Sequence, residues 1–335
     1  MRWPRRAWLL HAAPVMLALL NYGATPAHAQ ETAAPTSPGS IGIQLLEGPA
    51  NREDDPRAHT YIIDFLAPGT VIHRKFQVAN TSQSTQHVDL YAGAATIAGG
   101  TFLVAPDRTS NELTSWVSLS PASRDIPPGG IAPIEATITV PKTASASERY
   151  AVIWAQDSSQ PDHTDTIRMI NRVGLRIYLD VGPGGEPPSD FQINDVAATR
   201  LPDGTPEVVA DVHNTGGRAL DMTGSMTLTN GPGSLSAGPF PAKLGTTLGI
   251  NDTGRVAFPL YKRLPDGPWT AHLTLSSGLI HREATATLKF PDTAGQGPLI
   301  KLQSYGSKLA WKLGLGVSLI AGVLLAFVAY RRSRR

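Results

Sequence analysis

The feature that most restricts this chain lies at its C-terminal end. Residues 313–330 contain no charged side chain and are followed at once by Arg331, Arg332, Ser333, Arg334 and Arg335. At about 1.5 Å per helical residue, eighteen residues span roughly 27 Å, close to the hydrocarbon thickness of a bilayer. Trp311 and Tyr330 stand at the two ends, where amphipathic rings prefer the headgroup level. Lys308 and Lys312 can snorkel outward on one side, and the four arginines make a stop-transfer cluster on the other. Helices of soluble domains rarely run uncharged this long, so a transmembrane helix is predicted over 309–330 and a basic cytoplasmic tail over 331–335. Leu313, Leu319, Ile320, Val323, Leu324 and Phe327 are its expected anchor residues, with Arg331 and Arg332 at the inner end. Gly314, Ser318 and Gly322 recur every four residues, as helix-packing positions do, although such spacing is common in anchors rich in small residues.

The N-terminal end sets the direction of the anchor. Arg2, Arg5 and Arg6 precede an apolar run over 7–20, and Ala27, His28 and Ala29 form a small-x-small cleavage signal. These are the three parts of a secretory signal peptide over 1–29. Arg5 and Arg6 also touch the pattern of a twin-arginine export signal, but no cofactor motif follows that would require export of a folded protein. Residues 30–40 lack strongly apolar side chains and read as a disordered leader. The predicted placement is a single-pass plasma-membrane protein with its ectodomain outside.

Charge is split along the chain. The overall balance of +2 includes ten basic residues in the signal and the end segment; the exported part holds all 27 acids against nineteen bases, a net of about −8. An acidic ectodomain argues against nucleic acid as partner. The absence of cysteine removes disulfides, thiolate metal sites and cysteine nucleophiles, so hydrophobic cores alone must hold the exported part.

Between 41 and 291 the chain reads as short strands joined by turns. In the first half, strands are predicted over 60–66, 71–80, 87–95, 116–119, 131–140, 150–154 and 172–181, with a hairpin over 96–104 around Gly99 and Gly100. Ile134, Ala136, Ile138 and Val140 share one face of the 131–140 strand. In 172–181, Val173, Leu175, Ile177, Leu179 and Val181 alternate strictly, so the opposite face with Arg172, Arg176 and Asp180 is predicted to be wet. Residues 182–189, rich in Gly and Pro, form a linker. Six further strands are predicted over 191–199, 207–214, 220–230, 255–260, 269–276 and 280–290, with a long irregular loop over 231–245. Val78-Ala79-Asn80-Thr81 and Val212-His213-Asn214-Thr215 echo each other, either as related sandwiches or as a common strand-end turn. The fold class is therefore all-β, with two immunoglobulin-like β-sandwiches over 41–181 and 190–291, a spacer over 292–308, and then the single transmembrane helix. Trp116, Trp154 and Trp269 are assigned to the cores or their rims.

No catalytic, cofactor or metal constellation stands out. The seven histidines left after signal removal, His59, His73, His87, His163, His213, His272 and His281, form no metal-binding pair at helical spacing. His163 with Asp165 reads as a solvated loop, and Glu53, Asp54 and Asp55 lack the alternation of a calcium loop. The 233–238 loop only loosely resembles a nucleophile elbow, and Asn80 and Asn251 head formal glycosylation sequons.

The segments 42–46, 61–64, 66–70, 78–82, 148–155 and 173–178 resemble strands and turns of the WxL-interacting surface proteins of Gram-positive bacteria. That resemblance implies a first domain that binds peptidoglycan, a second that binds partner proteins, and a C-terminal anchor. The expected function is a non-enzymatic surface scaffold that meets cell-wall polymer or a secreted surface protein outside and the lipid bilayer through its helix. The alternatives are an exported chaperone or assembly factor that pairs through edge strands, and a surface hydrolase. The sequence assigns no partner-binding residue. Protease added to intact cells should digest the 41–291 region; its survival would overturn the topology.

Overall fold

The computed structural model describes residues 41–158 and 170–302. The first half holds β1 (Ile41–Leu45), β2 (Ile62–Leu66), β3 (Val71–Asn80), β4 (Gln86–Ala98), β5 (Thr101–Val104), β6 (Val117–Ser120), β7 (Ser123–Ile126), β8 (Ile131–Thr139), β9 (Ser147–Ser158) and β10 (Ile170–Val181). One sheet runs β1-β3-β8-β6 and the facing one β2-β10-β9-β4, with β5 and β7 extending β4. Alternation explains the packing. In β8, Ala132, Ile134, Ala136 and Ile138 point inward and are buried; with Phe76 and Val78 of β3 they meet Leu90, Ile153 and Ile177 of the opposite sheet. Gly99 and Gly100, both at positive φ, close the β4–β5 hairpin, a conformation that side chains with a Cβ rarely adopt.

The second half holds β11 (Phe191–Arg200), β12 (Pro206–Asn214), β13 (Leu220–Asp221), β14 (Thr223–Thr229), β15 (Ala237–Pro241), β16 (Thr247–Leu248), β17 (Thr253–Pro259), β18 (Trp269–Ser277), β19 (Ile280–Leu288), β20 (Gly295–Gln296) and β21 (Ile300–Lys301). The sheet β17-β12-β11, with β20 and β21 beside β11, faces β15-β14-β18-β19, and β13 pairs β16. Val196, Val212 and Phe258 meet Met226, Leu228, Trp269 and Leu273 in a core of its own. Trp269 is buried, with its indole N–H donating to the Pro265 carbonyl at 2.8 Å.

Three expectations need correction here. The predicted spacer over 292–308 begins as part of the second sandwich, because β20 and β21 pair β11 and Ile300 packs against its core. The 231–245 segment is not wholly irregular: β15 lies within it as an edge strand of its sheet. Prolines are tolerated there because the outer N–H makes no ladder bond, while Phe240 still turns inward to be buried. The predicted 220–230 strand is two elements, since β13 pairs β16 whereas β14 pairs β15 and β18.

The Asn-Thr echo proves to be a repeated structural corner. Asn80 ends β3, donates from its amide to the carbonyls of Ser84, Ile126 and Pro127, and accepts from the Ser82 N–H. Asn214 ends β12, donates to the carbonyls of Arg218, Leu248 and Gly249, and accepts from the Gly216 N–H. Each therefore binds the N–H two residues on, the carbonyl four residues on, and two consecutive carbonyls of a distant turn. The flanking ladders repeat too: Ile41 of β1 faces Asn80, and Phe191 of β11 faces Asn214. Both asparagines are 1% exposed or less, so the Asn80 sequon carries no accessible amide in the folded chain. Replacing Asn214 by Ala orphans buried carbonyls and should lower stability by about 3 kcal/mol or more. Chemical denaturation checks this, with Asn80→Ala expected to behave alike.

Candidate functional site

The two sandwiches meet along a seam organised by one carboxylate. Asp221 sits in the two-residue β13, where Leu220 turns into the core of the second sandwich and Asp221 turns toward the first. Its Oδ1 accepts from the Tyr178 hydroxyl at 2.8 Å, the Thr247 hydroxyl at 2.8 Å and Arg176 Nη1 at 3.1 Å. Its Oδ2 accepts from Arg57 Nε at 3.1 Å, and Arg57 Nη2 lies 2.8 Å from it as an ion-pair contact. Arg57 also donates to the Ala219 carbonyl at 3.1 Å and stacks over the Tyr178 ring. Arg176 lies over Tyr61 and Phe102, which pack with Tyr178 and Ile63 as a small buried cluster. Burial, with Asp221 adding to it, holds the Tyr178 hydroxyl pKa above its ordinary value, so it remains a donor. In the linker, Glu186 pairs with Arg52 on one side and Arg218 on the other. Glu148 accepts the Ala219 N–H at 2.8 Å, and desolvation by burial pushes its carboxyl pKa up to about 7.

This seam corrects the prediction of a wet outer face on β10. Arg172 is exposed, but Tyr178 and Asp180 are buried, at 0% and 5% exposure. The second sandwich covers the C-terminal half of that face.

The edge of β10 divides in the same place. β9 pairs β10 along its whole length. On the other side, β2 runs parallel to it only from Ile177 to Val181. From Arg172 to Arg176 that side pairs with no strand among the described residues. Leu175 turns inward into the first core, where it joins Ile41 and Leu45 of β1, with Val173 and Ile43 half-buried against them. The mouth of the sandwich beside this edge is therefore apolar. On the outer face Trp154 fills the space beside Gly93 and Gly174, where an added Cβ would approach the indole to about 2.9 Å, and Arg172 lies over its ring. An unpaired edge presents backbone donors and acceptors at alternate residues, as a template for a further strand. Other edges are blunted: β5 and β6 have four residues each, and β19 carries His281 and Arg282, the latter paired with Asp190.

The residues singled out for chemistry are scattered. His73 meets Glu135 at 3.2 Å, His87 meets Asp125 at 2.6 Å, and His59 meets the Glu53 carbonyl at 2.7 Å. His213 bonds Thr253 and His272 bonds Thr229 and Thr285, all on exposed ladder faces. Ser276 bonds His281 at 2.7 Å as its cross-strand neighbour. Asp55 bonds the Arg57 N–H and Arg52. Among the described residues no group of three His, Cys, Asp or Glu is placed to hold a metal ion. Trp116 is buried beneath the Arg149 guanidinium, which sits 4.8 Å from its ring. His163, the signal over 1–29, the leader, the anchor with Leu313, Leu319, Ile320, Val323, Leu324, Phe327, Arg331 and Arg332, and the packing positions Gly314, Ser318 and Gly322 lie outside the described residues. No helix among the described residues is long and apolar enough to cross a membrane. Neither Asp221 nor the β10 edge was marked by sequence reasoning. The strict alternation over 173–181 locates the strand but carries no information on where its second neighbour stops.

No protein-family model and no curated protein matches the chain. Among solved structures it is similar to the E. coli chaperone DraB, at 11% identity over 75% of this chain and 99% of that one, with a TM-score of 0.38. It is also similar to a chain of the Salmonella enterica SafA pilin–SafB chaperone complex, at 8% identity over 74% and 96%, with a TM-score of 0.41. A third is the Pseudomonas aeruginosa CupB2 chaperone, at 10% identity over 68% and 98%, with a TM-score of 0.36. These likenesses are remote, and the reading of function rests on this chain's own seam and strand edges.

Removing Asp221 leaves Arg57 and Arg176 without their shared acceptor in a buried setting, a loss of about 3–5 kcal/mol for such pairs. Asp221→Ala should separate the unfolding of the two sandwiches into two calorimetric transitions, whereas an unchanged single transition would show that the seam is held by other contacts.

Proposed function

We propose that this chain is an exported assembly factor of chaperone type, which receives a β-strand of a secreted partner protein along the free edge of β10. The observation that carries the reading is the stretch from Arg172 to Arg176, paired on one side by β9 and, among the described residues, unpaired on the other, beside an apolar sandwich mouth. Strand addition draws affinity from main-chain hydrogen bonds and selectivity from alternate side chains. Here the inward side chains of the incoming strand would extend the core next to Val173 and Leu175, and the outward ones would lie beside Arg172. The seam keeps the edge straight by clamping the second half of the same strand.

The reading includes plasma-membrane attachment, with the signal over 1–29 directing export and the helix over 309–330 holding the chain at the outer surface. Contact with cell-wall polymer, which the resemblance to WxL-interacting proteins implies, is favoured by no particular group of side chains among the described residues. Catalysis is not part of the proposed role.

The chain contains no cysteine, so an introduced one is unique. In cells, Arg172→Cys carrying a short photo-crosslinker should capture a secreted protein. The same label at Leu244, which is 77% exposed on the second sandwich, should not. Equal capture at both positions, no capture at Arg172, or recovery of wall fragments in place of protein would each defeat the strand-pairing reading.

A further inference from the structure

The open stretch of β10 turns a short strip of residues outward, and that strip has a chemistry of its own. Arg172 and Gly174 are exposed on it, while Arg176 is half-buried and already committed to Asp221 and Thr247. Arg172 is held differently. Its guanidinium lies 5.3 Å from the centre of the Trp154 ring, and its Nη1 donates to the Tyr91 hydroxyl at 3.4 Å. Among the described residues no carboxylate pairs with it. Its cross-strand partner Gln156 is uncharged, and so is every residue of β1 on the far side of the mouth.

Trp154 supplies the second element. It is the direct partner of Tyr91 on one side and of Gly174 on the other. A Cβ at Gly93 would stand 2.9 Å from the indole Nε1, and a Cβ at Gly174 would stand 2.9 Å from Cζ3. The indole thus lies across the sheet, from β4 over β9 to β10, in space that the two glycines leave open. Gly93 is buried beneath it, whereas Gly174 is exposed. The benzo edge of the ring therefore reaches the last strand of the sheet, and the backbone of an added strand runs about 4.8 Å beyond. An outward side chain of that strand, opposite Gly174, meets no side chain of β10 and comes to rest against the indole edge.

We propose that Arg172 and Trp154 select the partner by the outer face of its strand: an acidic side chain beside Arg172 and, two residues along, an aromatic or large aliphatic one beside Gly174. The inference rests on the strand-pairing reading and adds the sequence pattern of the strand that fits. Alternation places both selected side chains on one face, opposite the apolar ones that enter the mouth beside Val173 and Leu175. Opposite charges on neighbouring strands attract and like charges repel, so Arg172 admits acidic strands and rejects basic ones. An aromatic side chain gains contact with the indole edge in the edge-to-face or offset arrangement that paired rings prefer.

The test uses the full chain in detergent micelles and fluorescein-labelled nonapeptides with valine at the inward positions. One has a central Asp-Val-Phe-Val-Asp, which reads alike in both chain directions. In the others lysine replaces both aspartates, or alanine replaces the phenylalanine. Fluorescence anisotropy gives the affinity, and hydrogen exchange of the 172–176 amides shows whether the peptide lies on the edge. The acidic peptide should slow that exchange and bind about fivefold more tightly than the lysine or the alanine peptide. Arg172→Glu should reverse the order of the acidic and lysine peptides, and Arg172→Gln should level them. Equal affinities for the acidic and lysine peptides, or for the phenylalanine and alanine peptides, with the 172–176 amides protected, would overturn the selection and leave strand pairing standing. No protection by any peptide would remove both.

Discussion

Two β-sandwiches, each with its own apolar core, have no intrinsic reason to hold a fixed arrangement beyond what the linker between them imposes. The Asp221 carboxylate supplies that reason. It accepts hydrogen bonds from Arg57, Arg176, Tyr178 and Thr247 with both oxygens engaged, so its burial is compensated. Three of those four donors come from the first sandwich. They are drawn from two segments remote in sequence, the turn before β2 and the last part of β10. An apolar contact of the same size would tolerate sliding, whereas a carboxylate read by two guanidinium groups and two hydroxyls has one geometry.

That anchoring has a consequence for β10, which performs two tasks along its length. From Ile177 onward it is sealed, with β2 on its edge, the second sandwich on its outer face and the core on its inner face. Before Ile177 only β9 and the core hold it, and one edge is open among the described residues. Sheet edges are normally blunted against association, as β19 is by charge and β5 by shortness. The edge left open beside apolar side chains, on a strand whose other half is clamped, is the one the proposed strand pairing uses. Its rigidity comes from the clamp, and its vacancy comes from the place where β2 begins.

The paired corners at Asn80 and Asn214 say something separate about the architecture. Each closes the end of the same strand position in its sandwich and satisfies two carbonyls of a distant turn. Isolated asparagines at strand ends are ordinary turn residues. Two that repeat the same pattern of donors and acceptors, with the same neighbouring strand opposite, indicate one structural plan used twice in the chain.

Much of the fold could be read from residue order. Period-two alternation in 131–140 and 173–181 placed strands and their inward faces, because side chains on a pleated ribbon must alternate. Gly99 and Gly100 announced their hairpin through backbone freedom, and the absence of cysteine required cores without disulfides. The β15 strand escaped because Gly and Pro obscure the pattern where an edge position makes them harmless. The burial of Tyr178 and Asp180, the gathering of Arg57, Arg176 and Asp221, and the open edge before Ile177 could not be read at all. Alternation reports which way a side chain points, whereas these features depend on what arrives from 43 residues away, as Asp221 does at Tyr178, or 164, as it does at Arg57, or fails to arrive. Local periodicity therefore determined the strands and their faces; only the docking of one sandwich on the other decided which outer face is dry and which edge is free.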